Sequence, residues 1–204
     1  MLADSLHVYA CRPNCIVLAL PRGGVPVGAA VAKQLKLPLD VFLVRKIGVP
    51  GYEELAMGAI ASGGVRVLNE NVLASLPDAK RAVEDVTAWE IRELTRREAE
   101  YRAGLPPLDV KGKTVLLVDD GVATGASMRA AVTAVRKLGA MEVVVAVPVG
   151  SPSTCELIEA EADSMVCPLV SPYFEAVGQY YSNFSQTSDA EVCTLLAEAR
   201  RRHL

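Results

Sequence analysis

The sequence predicts an α/β fold, a parallel twisted sheet with helices on both faces. Two observations carry this. Apolar runs at 15–20, 39–44, 114–118 and 142–149 show almost no polar alternation, as expected of strands buried on both faces. Between the members of each pair lies a helix-forming stretch, 26–35 and 126–138, and strand–helix–strand alternation implies parallel crossovers.

The first unit runs from strand 15–20 through the turn Pro21-Arg22-Gly23-Gly24 into its helix, then to strand 39–44. Pro26 suits a first helical turn, where its missing N–H has no partner to lose. The second unit runs from strand 114–118 through the turn 119–124 into a helix. There Met128, Ala131, Val132, Val135 and Leu138 fall at spacings of three and four. Lys137-Leu138-Gly139 is its stop signal. Ligands of such sheets bind beyond the carboxyl ends of the strands, where both turns sit.

An insertion at about 48–107 separates the units. Gly48-Val-Pro-Gly51 and Ser62-Gly-Gly64 read as turns, and 65–68 as a short strand. Residues 78–102 read as a long charged helix with i,i+4 pairs Glu93/Arg97 and Glu98/Arg102. Its apolar stripe (Ala79, Val83, Val86, Leu94) is narrow enough for one-sided packing. Pro106-Pro107 returns the chain to the core. A helix near 153–161, a short strand at 165–167 and an aromatic loop at 171–184 follow. A closing helix spans 189–202, with Ser188 or Asp189 as its N-cap.

Composition narrows the function classes. The 204 residues are 51% hydrophobic and carry a formal charge of −3 without a basic tail, so nucleic-acid binding is not expected. The apolar runs are too short to span a bilayer. Residues 1–9 show no basic segment followed by an apolar one, so no secretory signal is expected. Five cysteines include no CxxC pair, which favours reduced thiols in a cytoplasmic protein over a metal site. His7 and His203 lie near the termini and are poor acid–base candidates.

The segment Val115-Leu-Leu-Val-Asp-Asp-Gly-Val-Ala-Thr-Gly-Ala-Ser127 carries the chemistry. An apolar strand delivers Asp119 and Asp120 to the ligand edge of the sheet. The small-residue turn behind them exposes successive N–H groups and opens a helix, which makes a phosphate cradle. The hydroxyls of Thr124 and Ser127 add donors. Two carboxylates repel a phosphate but accept hydrogen bonds from hydroxyls beside it. A phosphate near a vicinal diol, as in ribose 5-phosphate, matches the set. No lysine completes a Walker loop, and no Gly-x-Gly-x-x-Gly is present here. An acidic turn without a ligand is the bland alternative.

This run resembles the 5-phosphoribosyl-1-pyrophosphate (PRPP) motif of the type I phosphoribosyltransferases, departing at Gly121, where a branched apolar residue is usual. Ala19-Leu-Pro-Arg-Gly-Gly-Val-Pro-Val-Gly28 and Asp119-Asp-Gly-Val-Ala-Thr-Gly125 are similar to phrases of a poorly characterised bacterial branch. The resemblance implies one domain, 1–204, that transfers ribose 5-phosphate from PRPP to a nitrogenous acceptor with Mg²⁺. Asp119 and Asp120 would hold the ribose hydroxyls and, with Arg22, form the catalytic set. Ala123, Thr124, Gly125, Ala126 and Ser127 would bind the 5′-phosphate. Arg22, Gly23, Gly24 and Lys46 would bind pyrophosphate, after a cis Pro21–Arg22 bond. Mg²⁺ would be held mainly by PRPP, with Asp119 a further ligand. A hood at about 168–184, with Tyr173, Phe174, Tyr180 and Tyr181, would read the acceptor, whose identity no residue gives. The paired Glu53-Glu54 could reach a base or a metal-bound water, but a solvated loop pair explains them as well. The family is usually dimeric, so a homodimer is expected. Two rival readings stand: a non-catalytic PRPP sensor of the same fold, and another α/β phosphotransfer enzyme using Asp119 and Asp120 for Mg²⁺. The lateness of these acids in the chain argues against the second.

Overall fold

After a short helix α1 (Leu2–Ser5), strand β1 (Cys15–Ala19) is buried along nearly its whole length. Its alternate side chains enter different cores: Val17 and Ala19 one, Leu18 and Leu20 the other. The structure, a computed structural model, describes residues 1–50, 52–75 and 79–202, without the side chains of 53, 54, 79–82 and 85. Gly51, Asp78, His203 and the side chains of Glu53, Glu54 and Ala79, all discussed above, lie outside that description.

The remaining elements are α2 (Gly24–Leu35), β2 (Leu39–Val41), β3 (Val44–Val49), β4 (Tyr52–Ala61), β5 (Val65–Leu68), α3 (Glu70–Leu73), α4 (Ala79–Tyr101), β6 (Thr114–Val118), α5 (Ala126–Lys137), β7 (Glu142–Ala146), β8 (Val149–Gly150), α6 (Pro152–Glu159), β9 (Ser164–Val166), β10 (Leu169–Val170) and α7 (Asp189–Arg201). Strands β2-β1-β6-β7-β9 form a parallel five-stranded sheet in that order. Leu116, Val118, Val144 and Ala146 join the core beneath α2 and α7. Val115, Leu117, Val143 and Val145 join the core beneath α5 and α6. The expected sheet with two covered faces is therefore present, and period-two alternation divides one apolar run between two cores.

Besides the run 142–149, which divides into β7 of the main sheet and β8 paired with β10 in a second sheet, two sequence expectations need correction. The run 39–44 is not one strand. Chain pairing with β1 ends at Val41, Phe42 and Leu43 turn inward, and Val44 begins an antiparallel sheet β3-β4-β5. Arg45 and Lys46 lie inside β3. Gly48, expected in a turn, pairs with Ala56 at a register shift. Cross-strand pairing overrides the weak local signal of a Gly- and Ala-rich stretch.

The second correction concerns α4. Glu93 and Arg97 pair as expected, at 2.7 Å, but Arg102 turns away from Glu98. It makes a two-pronged contact with the buried carboxylate of Asp40 on β2, at 3.0 Å from both Nε and Nη2, and donates to the Pro106 carbonyl. A charge-assisted fork of this kind fixes the end of α4 to the edge of the main sheet. Tyr101 donates to Asp189 at the start of α7, and Arg200 donates to the Tyr101 carbonyl at 2.8 Å. Helix α7 begins with Ser188 as its N-cap. The α4–α7 contact matters because Asp189 faces the first turn described below. No described helix is long and apolar enough to cross a membrane.

Candidate functional site

Strands β1 and β6 are neighbours in register, with Ala19 opposite Val118. The turns that follow them therefore leave the sheet side by side. Leu20 N–H donates to the Val118 carbonyl at 2.9 Å, extending the ladder by one residue into the turns. The Pro21–Arg22 bond beyond it is cis. Gly24 N–H returns to the Leu20 carbonyl at 3.1 Å and opens α2.

The two glycines stand where no side chain fits. A Cβ on Gly24 would lie 2.8 Å from the Val118 carbonyl oxygen and 2.9 Å from Asp119 Cα. A Cβ on Gly23 would strike the Asp120 carboxylate, its Cγ only 2.7 Å away. The first turn is thus pressed against the two acids of the second. Arg22 is half-buried, with Nη1 3.9 Å from Asp189, a loose pairing that leaves its guanidinium at the site.

In the second turn Asp119 accepts from Asp120 N–H at 2.9 Å. Burial raises the pKa of both carboxyls, and for Asp119 the neighbouring Asp120 charge raises it further. A carboxyl whose folded pKa lies above its unfolded value of about 3.9 keeps a proton that the unfolded chain releases. Its contribution to stability is then greatest at acid pH and falls as pH rises through the raised value. Asp119→Asn should match the wild-type melting temperature near pH 4 and exceed it increasingly toward pH 8. Each tenfold difference in proton affinity between the folded and unfolded chain is worth about 1.4 kcal/mol, or roughly 3–5 °C for a chain of this length. Melting curves of both proteins at several pH values check it; a constant gap would contradict it.

The rest of the turn is held from outside. Tyr181 donates from its hydroxyl to the Asp120 carbonyl at 2.6 Å, and burial, then the charges of Asp120 and Asp119, push its pKa up to about 12. Val122 N–H donates to Val149 at 3.0 Å, and Val122 bridges Gly150. Thr154 donates to the Ala123 carbonyl at 2.6 Å. Gly125 adopts φ 72°, ψ −1°, a conformation glycine takes without penalty, and turns the chain into α5. No side chain caps that helix among the described residues, so its first amides are available to an anion. Ala123, Thr124, Ala126 and Ser127 are exposed on this turn.

Gly121, the one departure from the family pattern, now has a physical reason. A Cβ there would lie 2.8 Å and 2.9 Å from the two methyls of Val177 and 3.0 Å from Val149. Val177, from the C-terminal loop, occupies the space that a branched residue would take.

A cavity of about 680 Å³ opens beside Arg22, Gly23 and Asp120, walled by Tyr181, Phe184 and the 183–187 segment, with Glu191 at its edge. Of the four aromatic candidates, Tyr181 lines it. Phe174 and Tyr180 stack on each other with centroids 5.7 Å apart, and Tyr173 is 86% exposed. Phe184, 5.2 Å from the Tyr181 ring, is a lining residue that sequence reasoning left among the loop residues. Lys46 is not among the residues that line this cavity. With Ser127 it lines a second one, about 500 Å³, between α5 and the antiparallel sheet. Thr154 and Val177 carried no sequence signal, because each acts from a distant part of the chain.

The comparisons with known proteins agree with this geometry. The family model described as "Phosphoribosyl transferase domain" matches residues 2–185. A Mycobacterium tuberculosis (strain H37Rv) protein named "Putative phosphoribosyl transferase Rv0571c" is 46% identical over 186 residues, 91% of this chain and 42% of its own length. The chain thus spans about two fifths of the curated relatives it matches. The crystal structure of TT1426 from Thermus thermophilus superposes with a TM-score of 0.86 at 43% identity, covering 97% of this chain and 93% of that one. With its parallel sheet and the two facing turns, the chain belongs to the phosphoribosyl transferase domain family and has the type I phosphoribosyltransferase fold.

Proposed function

We propose that the chain transfers ribose 5-phosphate from PRPP to a nitrogen nucleophile and releases pyrophosphate. The observation that carries this is the contact of Gly23 with the Asp120 carboxylate. It brings a basic Gly-Gly turn and an acidic, amide-rich turn to one sheet edge, as a sugar with phosphates at both ends requires. In this reading the amides of 123–127 and the Thr124 and Ser127 hydroxyls bind the 5′-phosphate. Arg22 and the Gly23 amide hold the pyrophosphate, the Gly24 N–H being taken by the Leu20 carbonyl; the guanidinium supplies a fork of donors and the glycines allow close approach.

Asp119 and Asp120 accept hydrogen bonds from the ribose hydroxyls. Their charge favours the positive character that builds on the sugar as the C1–pyrophosphate bond lengthens. No side chain need attack C1, since the acceptor nitrogen does so, and the residues contribute position and field. Bringing cations and hydroxyl donors to this acid pair also offsets the burial that raises the pKa of both carboxyls. Magnesium fits this donor set. Two adjacent carboxylates suit an ion that keeps several ligands from substrate phosphates. When bound it would neutralise the leaving group, and in this reading Asp119 would assist in holding it.

The acceptor enters in this reading through the cavity beside Tyr181 and Phe184, whose rings offer a stacking surface for a planar heterocycle. Release of pyrophosphate from PRPP, measured across a panel of nucleobases and other heterocyclic amines, tests the proposal. Stimulation by at least one acceptor supports transfer. PRPP binding with no release across the panel would point instead to a sensor that retains the pocket.

A further inference from the structure

Thr154 lies on α6, 27 positions beyond the end of the 115–127 run, and is only 5% exposed. Its Oγ1 donates to the Ala123 carbonyl at 2.6 Å and accepts from Ser151 Oγ at 2.9 Å. Its methyl lies 2.9 Å from where a Cβ on Gly125 would stand. One short side chain thus holds both the carbonyl before Thr124 and the surface beneath Gly125.

We propose that Thr154 is a positioning residue for the anion-binding turn. It fixes the Ala123–Thr124 peptide plane so that the Thr124 N–H faces the side where an anion docks. In a trans peptide the C=O and the following N–H point in opposite directions, and the only cis bond among the described residues is Pro21–Arg22. Anchoring the Ala123 carbonyl on α6 therefore sends the Thr124 N–H away from α6, toward the exposed side of the turn. Two further contacts steady the turn: Tyr181 donates to the Asp120 carbonyl, and Val122 N–H donates to Val149. Held at three points, the turn offers the Thr124 amide to a charge without reorganisation. Ser151, behind Thr154, directs the hydroxyl proton toward Ala123 because it fills the acceptor side of Oγ1.

This inference rests on the reading that the turn binds the 5′-phosphate, and the test separates the two. Calorimetry would measure ribose 5-phosphate and inorganic pyrophosphate binding to the wild type, Thr154→Val and Thr154→Ser. The valine variant keeps shape and loses the donor. It should bind ribose 5-phosphate about tenfold more weakly or worse, the order expected for a hydrogen bond to a charged group, with pyrophosphate affinity unchanged. The serine variant should restore most of the loss. Equal ribose 5-phosphate affinity in a folded Thr154→Val, or equal loss of both ligands, would overturn the proposal. If the wild type binds no ribose 5-phosphate, the phosphate reading of the turn fails first and this role with it. Should Thr154→Val not fold, Ser151→Ala takes its place: a several-fold loss confined to ribose 5-phosphate supports the role, and none refutes it.

Discussion

Asp119→Asn combined with Asp120→Asn should lower PRPP-dependent turnover by about three orders of magnitude or more while leaving the fold intact. Removing one preorganised electrostatic partner of a transition state typically costs about a hundred- to a thousandfold, and here both are removed. The amide is nearly the same size as the carboxylate, and the amide oxygen placed at position 119 could still accept the 2.9 Å hydrogen bond from the N–H of residue 120. What vanishes is charge. The loss should fall mainly on kcat, because the positive character of the sugar exists only in the transition state. Steady-state kinetics with an unfolding curve check this. Unchanged turnover in the double variant would end the proposed mechanism.

The second large effect separates two adjacent glycines. In Gly23→Ala the new methyl meets the end of the Asp120 side chain, which can rotate away. Stability should change by less than about 1 kcal/mol, since only a side-chain torsion is forced, yet the carboxylate leaves the ribose position and turnover should fall about a hundredfold. In Gly24→Ala the methyl meets backbone, the Val118 carbonyl at 2.8 Å and Asp119 Cα at 2.9 Å. Neither can move without parting β1 from β6. That variant should lose about 1–3 kcal/mol of stability, the usual cost of overpacking, along with activity. Thermal unfolding and initial rates on both proteins decide it. An equally destabilised pair would mean that the Asp120 side chain is not what yields.

Much of the site is legible in the sequence because its signals are local. Apolar runs name β1 and β6, small residues mark the turns, and the spacing of Met128 to Val135 sets the buried face of α5. That both turns leave the same sheet edge follows from the parallel class; that they are neighbours follows from the strand order, which sets β6 beside β1. What is not legible depends on contacts between distant residues. Strand β4 contains Ala56, Gly58 and Ala59, poor strand formers held by cross-strand pairing, the last two on both sides; a Cβ on Gly58 would run into the Val67 carbonyl. The four hood aromatics are equivalent in sequence, and only the packing of the C-terminal loop brings Tyr181 to Asp120. Gly121 reads as a defect in the motif until Val177 is seen in its space. Arg102 has a reasonable helical partner in Glu98, but it makes its two-pronged contact with a buried carboxylate on another element instead.

The central claim, that the two facing turns together hold PRPP, is tested most directly by titrating the protein with PRPP and Mg²⁺ in a calorimeter. The account predicts saturable binding at one site per chain, competed by ribose 5-phosphate and by pyrophosphate separately, each taking half of the ligand's place. Absence of any saturable heat with millimolar PRPP and Mg²⁺, from a protein shown to be folded, would contradict it.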